Sequence, residues 1–326
     1  MILIMTYSFT DIPSPLEESA YHRILKNVVA KLSSLEGVEA VYQIGGIASP
    51  GISDLDLVVV FRDDFVCLYN LHDELSDEEK FLFIHKLFGC SAKYFHESSR
   101  YSFFHNFTLL AGSDIKREEK LNELETSTIK SQIALEYMVK MYANIIVQKE
   151  YSVLQIRSLL LHGKALNFDL EFLGVDAITL QESVNELLSI RKNWFKATDG
   201  KAQIELWFKQ FVKIFPEILD SILKVRGLYL PEIETKKIAK NISLHRGASL
   251  SHVRRGIVLP SFPVSLLGKK YFRLQNKFNS FEILLPVREN EPPEALTKYF
   301  AFQSKQKEYN KKHLPHFYPL ASSLLA

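Results

Sequence analysis

The sequence predicts an α+β fold, with a small mixed sheet and flanking helices first, an α-helical bundle next and a mixed basic segment last. Three observations predict it. Short apolar runs broken by glycine and proline fill the first third. Apolar residues recur with the helical period from Lys116 to about Gly227. From Lys236 to Ala326, sixteen Lys and Arg face five Asp and Glu. The expected divisions are 1–115, 116–230 and 231–326. With 326 residues, 47% of them hydrophobic and 24% charged, the chain can bury a substantial core, and disordered or collagen-like classes are excluded. The net charge is +2, so the basic segment carries about +11 and the rest about −9.

The first nine residues are apolar without a basic leader and soon reach Asp11, Pro13 and Pro15, which does not read as a signal peptide. No run approaches a membrane span, and the expected compartment is the cytoplasm. Cys67 and Cys90 lack Cys or His companions at ligand spacing and read as packing residues. From Leu16 to Leu35, Ala20, Ile24, Val28 and Leu32 fall at helical spacing, and Gly37 ends the pattern.

The stretch Val38 to Phe61 follows. Ala40 to Ile44 meets Gly45-Gly46, a loop holds Pro50 and Gly51, and Asp54 and Asp56 open an apolar run to Phe61. This reads strand, glycine turn, loop, strand. Residues i and i+2 of a strand share a face about 6.6 Å apart, so Asp54 and Asp56 point the same way. Two carboxylates beside a core are costly unless solvated or met by cations, and hard oxygen ligands favour Mg²⁺ or Mn²⁺. A glycine turn without Cβ atoms lets backbone N–H groups approach a phosphate.

This spacing resembles the signature of the DNA polymerase beta type nucleotidyltransferase superfamily: Gly45-Gly46, then Asp54-Leu55-Asp56 with Ser53 before it. The resemblance covers roughly the first third of the chain. It implies a transfer of a nucleoside monophosphate from a nucleoside triphosphate, ATP being the expected one, to a hydroxyl-bearing acceptor, with release of pyrophosphate and two Mg²⁺ (or Mn²⁺) ions at the site. It also implies metal ligands at Asp54 and Asp56, nucleotide contacts at Gly45, Gly46, Ser49 and Ser53, and a third carboxylate on a neighbouring strand. Glu97 is the expected third ligand and catalytic group, with Asp114 the weaker choice.

Beyond Phe61, the pattern predicts a helix from Asp77 to Phe88 stopped by Gly89, a strand from Ala92 to His96 leading to Glu97, and a strand from Phe103 to Ala111. Ser113 or Asp114 is placed to cap a helix from Lys116. His105 and Asn106 have a minor claim on the nucleotide. Ile129, Ile133, Tyr137, Met141 and Ile145 form an apolar stripe of the bundle. Within it, Arg157 and His162 match the Arg-x4-His form of the HEPN ribonucleases. Five residues of helix separate two side chains by about 140° around the axis, so Arg157 is expected on a solvated surface instead.

In the last segment, Lys236-Lys237, Arg254-Arg255 and Lys311-Lys312 alternate with Tyr271, Phe278 and Tyr309. This pattern suits either contact with a nucleic acid or coverage of the acidic remainder. A small-molecule or protein acceptor is favoured over RNA, since +2 is weak for a dedicated RNA binder. The alternatives are a silent nucleotide-binding regulatory relative and an RNA-binding or RNA-cleaving protein acting through the bundle and basic segment.

Overall fold

The computed structural model describes residues 7–102, 107–116, 121–231, 235–261 and 264–320. Along the chain run β1 (Ser8–Thr10), α1 (Glu18–Ser33), β2 (Val38–Ile44), β3 (Asp56–Phe61), α2 (Leu71–Glu74), α3 (Asp77–Leu82), β4 (Phe88–Ser91), α4 (Ala92–Glu97) and β5 (Phe107–Gly112). Then come α5 (Glu123–Tyr151), β6 (Val153–Gln155), α6 (Ile156–Leu173), α7 (Ile178–Asn193) and α8 (Gly200–Arg226). The remainder is β7 (Thr235–Ala239), β8 (Ile242–Arg246), β9 (Ser251–Gly256), α9 (Val264–Leu267), α10 (Lys269–Phe278), β10 (Asn279–Leu285), α11 (Glu294–His313) and β11 (Tyr318–Pro319). The fold is α+β with a helical bundle. Among the described residues, no helix is long and apolar enough to cross a membrane.

The chain forms two compact units, each assembled from separated stretches of sequence. One gathers residues 15–129 with 293–320, and the other residues 7–14 with 130–292. The basic last segment is therefore shared, its final helix and strand belonging with the first sheet.

That sheet has the order β11-β4-β3-β2-β5. Strand β2 runs antiparallel to β3 and β5, while β4 runs parallel to β3 and β11. The sheet is mixed, as expected. Its central strand is buried on both faces, which explains the unbroken apolar run Leu57–Phe61. Leu57, Val59 and Phe61 pack with Tyr21, Ile24, Val28 and Leu32 of α1, whereas Val58 and Val60 pack with Ala40, Tyr42 and Phe95.

Two expectations fail in the stretch after β3. Helix α3 stops at Leu82, not Phe88, because the next residues extend to send Phe83 and Leu87 into the α1-side core. Leu82 O then accepts a hydrogen bond from Leu55 N at 3.0 Å. Gly89 is a strand residue: a Cβ there would lie 2.7 Å from that of Phe317, so glycine permits close packing and stops no helix. Ala92–Glu97 is helix α4, not a strand. Ser91 caps it by accepting from Tyr94 N, and Phe95 stacks on Tyr42 with ring centroids 4.7 Å apart.

In the other unit, α6 packs on α7 and α7 on α8, and Pro216 lies inside a continuous α8. A second sheet, β7-β8-β10-β9, covers Phe281, Ile283 and Leu285 with the rings of Tyr151 and Phe272 nearby. The apolar run Ile257–Pro260 forms no strand, β9 ending at Gly256. The helix at the start of the bundle takes its cap from Asn122, whose Oδ1 accepts from Glu125 N at 2.9 Å. Asp114 instead accepts from the Tyr42 hydroxyl.

Candidate metal centre

The loop between β2 and β3 is closed by its own backbone. Ile52 N and Ser53 N donate to Ser49 O at 3.0 and 2.8 Å, and Ser49 N donates to Ser53 Oγ at 3.0 Å. The buried Tyr21 of α1 pins it further, its hydroxyl donating to Ser53 O and accepting from Gly51 N. The Ser53 hydroxyl thus holds the loop together. Gly45 has φ +69°, where a side chain costs about 1–2 kcal/mol. A Cβ on Gly45 or Gly46 would meet nothing within 4 Å, so this turn is open to an approaching group.

The loop delivers Asp54 and Asp56 to the start of β3, half-buried. His85, on the extended chain between α3 and β4, joins them. One ligand atom from each of Asp54, Asp56 and His85 lies within 4.8 Å of the others. His85 Nε2 is 2.9 Å from Asp56 Oδ1. That contact is close enough for an ion pair, but its geometry is not that of an aligned hydrogen bond, and Oδ1 remains a buried acceptor without an aligned donor. The other ring nitrogen, Nδ1, is 2.7 Å from Lys86 O. A carbonyl only accepts, so Nδ1 carries the hydrogen and Nε2 is the atom presented to the carboxylates. Burial pulls the His85 pKa down, but the Asp56 carboxylate, the Lys86 carbonyl and the Asp54 charge together raise it above the ordinary value.

His85 is held on several sides. Its carbonyl lies 2.7 Å from His72 Nε2, Lys86 Nζ donates to Pro315 O at 3.0 Å, and its ring meets Phe88 and Tyr318 at 5.5 and 5.8 Å. Tyr318 comes from the last strand, in register with Phe88.

Glu97 is not brought to the pair. The register Val58↔Phe88 to Phe61↔Ser91 puts the Asp56 end of β3 before the start of β4, whereas Glu97 closes the helix after its end. Asp114 follows Gly112, which pairs with Ala40 at the far end of β2. Across the ladder from Asp56 stand Ile44 and then Phe107, so this row offers no third carboxylate. His105 and Asn106 lie outside the described residues. The sequence reading missed His85 because it fell inside an expected helix; the signal available was the apolar Phe88–Cys90 run, which reads equally as a buried strand.

The two carboxylates suit a hard divalent ion, and the imidazole adds a nitrogen donor; together they can hold one ion. No protein-family model, no curated protein and no solved structure matches this chain.

Arg157 and His162 belong to the helical unit. Contrary to expectation, Arg157 is completely buried. His162 Nδ1 donates to Ser158 O at 2.6 Å, and burial lowers its pKa. In the second sheet, Arg254 is bonded to Glu150, Gly256 O and Asn279, each at 3.0 Å, while Arg255 pairs with Glu282 near the surface.

Proposed function

We propose that the protein is a metal-dependent nucleotidyltransferase that moves a nucleoside monophosphate from ATP or a related triphosphate to a hydroxyl-bearing acceptor. The observation that carries this reading is the pairing of an open glycine turn with Asp54, Asp56 and His85 at one end of a mixed sheet. Gly45 and Gly46 offer backbone N–H groups to the triphosphate without side-chain obstruction. Asp54, Asp56 and His85 hold the divalent ion. When bound, such an ion neutralises phosphate charge and lowers the pKa of a hydroxyl. The acceptor oxygen forms a bond to the α-phosphorus, the bond from that phosphorus to the bridging oxygen breaks, pyrophosphate leaves, and the hydroxyl proton passes to solvent. The Tyr318 ring, 43% exposed beside His85, gives a flat surface for a base.

The acceptor is a small hydroxyl compound or a protein. Arg254 spends its hydrogen bonds internally, which removes one cation from any phosphate-binding surface. A second reading, a silent nucleotide-binding relative, draws on the row of Asp56, where the described residues Ile44 and Phe107 supply no carboxylate.

Incubation with α-labelled triphosphates and Mg²⁺ or Mn²⁺, followed by a search for label on small molecules, protein and RNA, tests the proposal. Label transfer that Asp56→Asn abolishes supports it. Nucleotide binding without transfer to any acceptor favours the silent relative, and no binding overturns both.

A further inference from the structure

We infer that Asp54, Asp56 and His85 form a single-ion site that takes Mn²⁺ in preference to Mg²⁺, with His85 Nε2 as a direct ligand. The inference rests on the metal-binding part of the proposed function and is independent of nucleotide transfer. Donors about 2.2 Å from an octahedral ion are about 3.1 Å apart when adjacent and about 4.4 Å when opposite, so a cluster within 4.8 Å can close on one ion by side-chain rotation.

The second nitrogen decides how the imidazole is used. A histidine that ligates a metal usually donates its other N–H to a carbonyl or carboxylate, which fixes the tautomer and the ring. His85 has that arrangement through Lys86 O at 2.7 Å. Rotation of the ring to another partner is opposed by Phe88 and Tyr318. The chain on either side is also held, at the His85 carbonyl by His72 and at the Lys86 side chain by Pro315. Asp56 Oδ1 is itself buried and lies 2.9 Å from His85 Nε2, so a carboxylate oxygen and the ring nitrogen already converge on one point.

The donor set then selects the ion. Mg²⁺ strongly prefers oxygen and keeps much of its water, whereas an imidazole nitrogen suits transition ions. Mn²⁺ accepts carboxylate, phosphate and imidazole in the same octahedral shell. Among the described residues, no third carboxylate stands in the row of Asp56 to restore an all-oxygen site.

The full chain, stripped of metal with a chelator, is titrated with Mn²⁺ and followed by the electron paramagnetic resonance of the free ion, with Mg²⁺ as competitor. The expected result is one Mn²⁺ per chain, displaced by Mg²⁺ only at about tenfold excess or more, with nuclear modulation from an imidazole nitrogen. His85→Ala should weaken Mn²⁺ on the order of ten- to a hundredfold and erase the modulation, by analogy with the loss of a supporting group. His85→Asp should retain an ion while moving the preference toward Mg²⁺. His85→Gln serves if the alanine variant fails to fold.

Unchanged Mn²⁺ affinity in a folded His85 variant overturns the inference, as does bound Mn²⁺ without nitrogen modulation, equal affinity for the two ions, or no binding. The two proposals fail separately. A Mn²⁺ site without label transfer sinks the transferase alone, whereas transfer supported equally by Mg²⁺ in wild type and His85→Gln sinks the histidine ligand alone.

Discussion

Ionisable side chains gather in two settings, the end of the first sheet and the interior of the helical unit, and the two differ in what they leave open. At the sheet end, Asp56 and His85 keep 30% and 31% of their side-chain surface, beside a glycine turn that faces open space. In the helical unit, Arg157 and Glu136 have no exposed surface and Glu205 has 2%. Those groups are tied internally. Glu136 accepts from Gln132, which also bonds both backbone groups of Tyr229, and Lys209 reaches Glu205 at 2.6 Å. A buried charge with fixed partners is committed to the fold, because its desolvation is offset only by those partners. A half-exposed one can exchange its partner for an ion. Accessibility, not residue type, separates the two roles.

The comparison breaks most sharply at Asp56. Asp56→Asn should lower transfer about a thousandfold or more, equivalent to roughly 4 kcal/mol of lost transition-state stabilisation. Its melting temperature should change little, since relief of the like charge next to Asp54 offsets loss of the half-exposed His85 ion pair. Turnover within tenfold of wild type, measured with Mn²⁺ at saturating triphosphate, contradicts the assignment.

Arg157→Ala should do the reverse. Removing a fully buried guanidinium costs about 3–5 kcal/mol of stability, read from chemical denaturation, while transfer per folded molecule stays unchanged. A stable Arg157→Ala chain that has lost an RNA-cleaving activity of the wild type would return the Arg-x4-His pattern to function.

Much of this contrast was legible in the sequence, and the parts that were not have a common cause. Gly45-Gly46 and Asp54-Leu55-Asp56 stood out because strand alternation and glycine freedom act over a few residues. The α1 stripe and the buried run Leu57–Phe61 were readable for the same reason. His85 was not, because tertiary packing overrode local periodicity: Phe83 and Leu87 are drawn into one core, which ends α3 at Leu82. Glu97 was misplaced by the same shift, since the strand expected at Ala92 lies four residues earlier. The return of α11 and β11 to the first sheet depends on contacts more than two hundred residues apart in sequence, such as Lys86 with Pro315. Local pattern carries no signal for that.

Asp169 sharpens the comparison through pH. It is buried on α6, and burial alone raises its pKa well above the ordinary value. The folded form therefore holds its proton over a range where the unfolded form has lost it. Stability is fully present below the unfolded pKa, near 4, and declines as pH rises toward the folded value. Asp169→Asn, which mimics the protonated acid, removes that slope. The variant should gain in melting temperature over wild type at pH 7 and little at pH 4; an equal change at both values refutes the neutral buried form.

The smallest effects are expected at the paired arginines of β9, where neighbouring cations sit on opposite sides of the same distinction. Arg254 retains 28% of its side-chain surface and bonds three partners, so Arg254→Ala should cost about 1–3 kcal/mol. Arg255 retains 69% and has one half-buried carboxylate at 3.2 Å, so Arg255→Ala should change stability by less than about 1 kcal/mol. A nucleic-acid acceptor would reverse the functional weight. Arg255 is the cation still open to solvent, and its loss would reduce the salt dependence of RNA binding by about one phosphate contact, near 0.7 in slope for a single strand. Denaturation and RNA binding at several salt concentrations, run on both single variants, separate the cases. Stability lost at Arg254 alone, with no salt-dependent RNA affinity in either variant or wild type, supports a non-nucleic-acid acceptor. A salt slope that falls in Arg255→Ala, with melting unchanged, contradicts it.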